Sequence, residues 1–173
     1  MITYREATSN DAEQIARLHS LSWQQNYGGI WSDEFLNGNV LENRQQVWLE
    51  RLSQPAVNQY VIVAESDKVI YGFACAYANN DPHWGTLLDN LHVRMEQKGQ
   101  GIGTVLIKLA ARWAYDKNPD SGFYLWVLPQ NTSARKFYQN LGAVNHELVT
   151  HASPDGGFSE AYRYVWADVN QLI

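Results

Sequence analysis

The sequence predicts a mixed α/β domain: a central, largely antiparallel sheet of six to seven strands, flanked by about four helices. Three observations lead there. Strand-like alternation and helix-like periodicity succeed one another along the chain in the order β-α-α-β-β-β-α-β-α-β-β. Two pairs of strand patterns are separated only by turn residues, which requires antiparallel neighbours. The 173 residues, 45% apolar and 18% charged, match the size and composition of one folded unit, so a single domain over residues 1–173 is expected.

Each element has a local cause. Residues 2–7 alternate as a strand does. Thr8 with Asp11 three positions later forms a helix-start signature, and Ile15, Leu18, His19, Ser22 and Trp23 follow at helical spacing up to Tyr27, before Gly28-Gly29. A second helix covers about 41–53, with Leu41, Arg44, Trp48 and Leu52 on one side, and Pro55 closes it. Residues 60–64 and 69–78 flank the turn Ser66-Asp67-Lys68 as a hairpin, 79–85 read as a loop, and 86–93 as a further strand. After a glycine-rich segment, Ile102, Val105, Leu106, Leu109, Ala110 and Trp113 mark the most regular helix of the chain. Residues 122–128 form a buried strand. Asn131 caps a short helix whose face is Ala134, Phe137, Tyr138 and Leu141, closed by Gly142. Strands at 143–150 and 158–167 flank the turn Pro154-Asp155-Gly156-Gly157.

Charge and composition exclude several function classes. With 13 Lys+Arg against 18 Asp+Glu the net charge is −5, so no basic field exists to hold a nucleic-acid backbone. A neutral or cationic small partner suits that balance better. The lone Cys75 forms no intrachain disulfide and reads as a small buried hydrophobe, and no thiolate metal cluster is available, so no metal is expected. No run approaches the ~20 apolar residues of a membrane span, and MITYREATS lacks the apolar block of a signal peptide. A soluble, cytoplasmic protein without a membrane partner is the expectation. The 7 Trp, 10 Tyr and 5 Phe are many for this size, more than one core needs.

Lys98-Gly99-Gln100-Gly101-Ile102-Gly103-Thr104 lies between a strand and the start of the long helix. Helix starts carry unpaired N–H groups, and glycines let them approach an anion without side-chain obstruction. Two commoner nucleotide motifs fail on spacing: a G-x-G-x-x-G starting at Gly99 would need glycine where Thr104 stands, and no P-loop G-K-S/T is present. By itself the segment serves equally as a tight turn.

Leu91-His92-Val93, then K-G-Q-G-I-G before an apolar helix, then Asn131-x-x-Ala134-x-x-Phe137-Tyr138-x-x-x-Gly142-Ala143 resembles the GNAT superfamily of N-acetyltransferases. The first block is similar to that family's pyrophosphate loop, Q/R-x-x-G-x-G/A, and the second to its N-x-x-A-x-x-F-Y-x-x-x-G-F motif. Ser22-Trp23, Tyr27 and Gly72-Phe73 also look like its members, and the resemblance spans the chain, so a GNAT-like fold is implied. Lys98 stands where Gln or Arg is usual and Ala143 where Phe is common. Lysine still offers a cation to a diphosphate, as a point charge rather than a planar fork.

The resemblance implies transfer of an acetyl group from acetyl-CoA to a primary amine of a small molecule or peptide, by direct attack in a ternary complex. It implies contacts to acetyl-CoA from Leu91, His92 and Val93 through the strand backbone, from Lys98, Gly99, Gln100, Gly101, Ile102, Gly103 and Thr104 at the pyrophosphate, and from Asn131, which is also an N-cap. Tyr138 matches the tyrosine that protonates the departing sulfur; a phenol with an ordinary pKa near ~10 holds its proton at neutral pH. Asp89 is the candidate base, with His92 nearby, whose ordinary pKa is in the right range, and a proton relay through water as the alternatives. Strand alternation puts Asp89 and Leu91 on one face and Asn90 and His92 on the other, so only one of Asp89 and His92 is expected to face the substrate. Trp23, Tyr27 and Asn90 are the expected acceptor contacts, with residues 151–158 as a wall. Trp31, Trp48, Trp113, Trp126 and Trp166 are assigned to packing. A non-catalytic acyl-CoA-binding module of the same fold is the alternative, and a homodimer stays open.

Overall fold

A computed structural model describes residues 1–173 and shows seven strands and four α-helices. In chain order they are β1 (Thr3–Glu6), α1 (Ala12–Asn26), α2 (Val40–Ser53), β2 (Gln59–Ser66), β3 (Val69–Asp81), β4 (Gly85–Val93), α3 (Ile102–Lys117), β5 (Phe123–Val127), α4 (Thr132–Asn140), β6 (Val144–Ala152) and β7 (Phe158–Trp166). The expected order and fold class are borne out. The strands lie in one sheet in the order β1-β2-β3-β4-β5-β7-β6. Every pair is antiparallel except β4–β5, where α3 intervenes and returns the chain in the same direction.

Local signals explain the ends. Asp11 accepts from the Thr8 amide at 2.7 Å, so the helix-start signature operates as read. Before α2, Phe35–Asn39 form a π-turn, which starts the helical path earlier than the sequence suggested. β3 runs on to Asp81, so the expected loop at 79–85 shortens to a turn: Asn79–Asp81 are polar because that end of the strand meets solvent, not because they leave the sheet.

Helices cover both faces. In β2, Val61 and Val63 point towards α1 and α2 while Ile62 and Ala64 point towards α3. On one face Ile15, Ala16, Leu18 and Trp48 pack on Phe73, Ile70 and Cys75. On the other, Ile102, Leu106, Ile107, Ala110 and Ala114 pack on Ala74, Ala76, Leu88, Phe123 and Leu125. Trp166 belongs to this layer, fully buried, with its indole N–H donating to the Leu141 carbonyl at 2.8 Å. Gly72 lets α3 settle there: a Cβ at this position would lie 3.0 Å from the His92 carbonyl oxygen and 3.1 Å from Leu106 Cδ1. Gly72→Ala is therefore expected to cost about 1–3 kcal/mol as an overpacking change, read as a lower denaturation midpoint. A midpoint within error of the parent would show that α3 is not held this tightly. No helix is long and apolar enough to cross a membrane.

Candidate active site

The sheet opens where β4 meets β5. These strands pair only at Thr86–Phe123, Leu87–Tyr124 and Leu88–Leu125. Beyond Leu88, β4 stays with β3 while β5 leaves with β7, so residues 89–93 carry a hydrogen-bonded neighbour on one side alone. A cleft of about 720 Å³ fills the gap, bounded by the start of α3, by α4 and by the α1–α2 end of the domain. The register slips between Cys75–Asn90 and Ala76–Leu88, leaving Asp89 as an extra residue, a β-bulge.

That bulge corrects the expected alternation. Leu88, Leu91 and Val93 face α3, whereas Asp89 and Asn90 both meet Arg51 of α2, at 2.8 and 3.1 Å, and His92 packs on His19 of α1. Asp89 and His92 therefore lie on the same side of the sheet, and the choice between them that alternation imposed disappears.

At the α3 end, Gly101 is the N-cap, with φ +83 in the left-handed region that suits glycine. The amides of Ile102, Gly103 and Thr104 find no backbone acceptor, and the first helical bond is Val105 N–H to the Gly101 carbonyl at 3.1 Å. Lys98, Gly99, Gly101, Ile102, Gly103 and Thr104 line the cleft, and Lys98 has no carboxylate partner. Three aimed N–H groups and an ammonium suit a diphosphate. Gln100 is the exception among the expected contacts: it does not line the cleft, and its side-chain amide reaches back to the Glu96 carbonyl, 3.5 Å away. Asn131 accepts from the Ala134 amide at 3.1 Å as the α4 N-cap and also borders the cleft.

Tyr138 is buried on α4, its ring held by Phe137 at 5.2 Å and Trp166 at 6.3 Å. Its hydroxyl has no hydrogen bond within the protein although the residue borders the cleft. Burial, and then the neighbouring Tyr27, push its pKa up, so it stays protonated at any physiological pH.

At the other end, Trp23, Tyr27 and Trp31 form an aromatic chamber, with Trp23–Trp31 centroids at 4.6 Å and Tyr27–Trp31 at 4.0 Å. Burial raises the Tyr27 pKa to about 12. His92 Nδ1 shares a 2.7 Å hydrogen bond with Ser22, and burial, with the charges of Lys98 and Arg44, pulls its pKa down to about 3. His19 is fully buried, accepts from the Trp48 indole N–H at 2.9 Å and leaves Nε2 without a partner; burial is the main reason it also stays neutral.

A family model described as Acetyltransferase (GNAT) family matches residues 13–143. The chain belongs to the GNAT acetyltransferase family. It is 28% identical over 142 residues to an uncharacterized N-acetyltransferase, YuaI, of Bacillus subtilis (strain 168), covering 80% of this chain and 78% of the relative. It is also 45% identical over 56 residues, 32% of each chain, to a thialysine N-epsilon-acetyltransferase of Sus scrofa. The crystal structure of PaiA N-acetyltransferase from Thermoplasma acidophilum in complex with coenzyme A superposes with a TM-score of 0.74 at 21% identity, over 95% of this chain and 98% of that one. This GNAT chain thus shares its fold with a protein whose structure holds coenzyme A.

Trp31 packs with Trp23, Phe35, Leu36 and Val40 as expected and also borders the cleft, whereas the assignment of Trp126 to packing changes, because it lines the cleft. Trp126 is half-buried, with the Arg163 guanidinium 4.2 Å from its ring centroid. Sequence reasoning missed Arg51 and left Arg44 as a stripe residue, yet both arginines line the chamber. Their spacing of seven on α2 was the available signal, because it puts them on one face.

The two neutral histidines tie stability to pH. Unfolded, each takes up a proton near its ordinary 6.5; folded, each stays neutral to much lower pH. Below about 6.5 the unfolded chain binds more protons, so the stability that the neutral histidines allow is fully present above that pH and declines as pH falls towards the depressed folded values, about 3 for His92. Denaturation midpoints from pH 7.5 to 4.5 check this. A midpoint flat to pH 4.5 in the parent, or the same slope in His19→Gln, would remove the histidines from the account.

Proposed function

We propose that the protein, acting as one domain over residues 1–173, moves the acetyl group of acetyl-CoA to a primary amine of a small molecule or peptide by direct attack within a ternary complex. The observation that carries this reading is the Tyr138 hydroxyl, protonated and without a protein partner, on a buried residue that borders a cleft also lined by the free amides of the α3 start and by the aromatic chamber.

Acetyl-CoA would bring an activated thioester; the chain's task is to hold it and move protons. Lys98 and the amides of Gly101, Ile102, Gly103 and Thr104 would bind the diphosphate. Leu91, His92 and Val93 offer an unpaired strand edge to the amide-bearing arm, and Asn131 flanks it. Tyr138 would give its proton to the departing sulfur. The amine must be neutral to attack. Asp89, one carboxylate oxygen held by Arg51 and the other free, is the proposed acceptor of its proton, directly or through water. Trp23, Tyr27 and Asn90 would enclose the acceptor. Cys75 is buried away from the cleft, and burial raises its pKa to about 12, which supports direct attack over transfer through an enzyme thiol.

Calorimetry with acetyl-CoA, followed by thiol release across amino acids, peptides, polyamines and aminoglycosides, tests the proposal. Binding with amine-dependent thiol release is expected. Absent binding at high micromolar concentration would sink the reading, and binding without transfer to any amine would favour the non-catalytic module.

A further inference from the structure

We propose that the acceptor amine carries a carboxylate and that Arg44 is the residue that binds it. This rests on the transferase reading above and narrows it to one substrate class.

Arg44 projects from α2 into the aromatic chamber and is 8% exposed. Its guanidinium carbon lies 4.1 Å from the Trp23 ring centroid, so the aromatic face fixes the plane of the fork. Nε and Nη2 both donate to the same atom, Asn43 Oδ1, at 3.0 and 2.5 Å, while Nη1 donates to no protein group. No carboxylate lies within ion-pair distance of it. A guanidinium this buried is ordinarily paired. Burial, then repulsion from Arg51, outweighs the opposing pull of Asp89 and lowers its pKa to about 10, so it remains charged at neutral pH with no anion in contact with it.

The second arginine shows what a paired one looks like here. Arg51, on the same face of α2, donates to Asp89 at 2.8 Å and Asn90 at 3.1 Å and is neutralised. Asp89 is the only carboxylate bordering the cleft. Asp89 acts on Arg44 from a distance but is in contact with Arg51, and the other cleft-lining groups of this end on α1 and β4, namely Ser22, Trp23, Tyr27, Asn90 and His92, carry no charge, His92 because it stays neutral above about 3. The chamber therefore has one uncompensated positive charge inside a protein of net charge −5. That reverses the expectation drawn from overall charge: the acceptor end repels a polyamine and is one anion short. A carboxylate is the fitting anion, because it is planar, monovalent and matched to a guanidinium fork. The same positive field would lower the pKa of a bound ammonium, favouring the neutral amine that attacks.

The test compares wild-type thiol release, per neutral amine, on L-α-amino acids and free-acid dipeptides with their carboxamides and with spermidine. Calorimetry of the same acids and amides against coenzyme A-loaded protein supplies a readout without turnover. A preference for acids of about tenfold or more in kcat/KM is expected, the size of a charge-assisted hydrogen bond in a dry site. Arg44→Gln should abolish that preference by raising KM for the acids, and Arg44→Lys should restore part of it. Equal or better activity on carboxamides or spermidine overturns the proposal, as does a panel in which no acid is bound or acetylated. Transfer to the carboxamides or spermidine in that last case shows that this inference alone has failed; no transfer to any amine shows that the transferase reading has failed too.

Discussion

Tyr138→Phe is expected to lower kcat by about tenfold or more while leaving acetyl-CoA affinity within about twofold of the parent, at the lower side of what a positioned acid contributes. The ring sits between Phe137 and Trp166, so removing one oxygen leaves its packing intact. Because the hydroxyl bonds to nothing in the protein, its loss orphans no partner and stability should hold. The sulfur must then leave as an unprotonated thiolate or take its proton from water. Using an acyl donor with a more acidic leaving thiol should restore much of the rate, which a structural role for the hydroxyl would not predict. Unchanged kcat with normal binding removes Tyr138 from the chemistry.

The second large effect is expected at Gly101. Its φ of +83 lies where a β-branched residue is strained, at a cost of about 1–2 kcal/mol. Gly101 lines the cleft and a Cβ there would meet no protein atom within 4 Å, so Gly101→Val adds its bulk to the cleft wall without a clash at Cβ. Both effects oppose a diphosphate resting on the amides of Ile102, Gly103 and Thr104. Calorimetry should show acetyl-CoA affinity weakened by about tenfold to a hundredfold, with far-UV circular dichroism unchanged. Parental affinity would mean that the anion is held elsewhere.

What the sequence disclosed depended on the range of the forces involved. α3 was legible because Ile102, Leu106 and Ala110 must meet the sheet at helical spacing, and the Asn131 cap because it acts within one turn. The bulge at Asp89 was not read, although Leu87-Leu88 followed by Asp89-Asn90 already breaks a period of two; treating strand 86–93 as regular hid it. Trp31 could not be placed at the cleft because it lies between two elements, outside any periodic pattern, and reaches the cleft only through contacts to Trp23 and Tyr27. The isolation of Arg44 is legible only in three dimensions, since a missing partner is a property of everything around a group. Overall charge pointed the other way because 18 acidic residues averaged over a surface say nothing about one chamber.

The short seam at Thr86–Phe123, Leu87–Tyr124 and Leu88–Leu125 is the only hydrogen-bonded joint between a four-stranded and a three-stranded half of the sheet. It makes the protein a two-leaf hinge, with three residue pairs as its pin. The angle between the leaves sets the width of the gap, so the size of Leu88 and Leu125, one pair of that pin and both on the cleft wall, sets how far apart the two ends of a bound thioester and its amine are held. Amide exchange at these six residues is the gauge of that hinge, and a molecule wedged between the leaves would slow it.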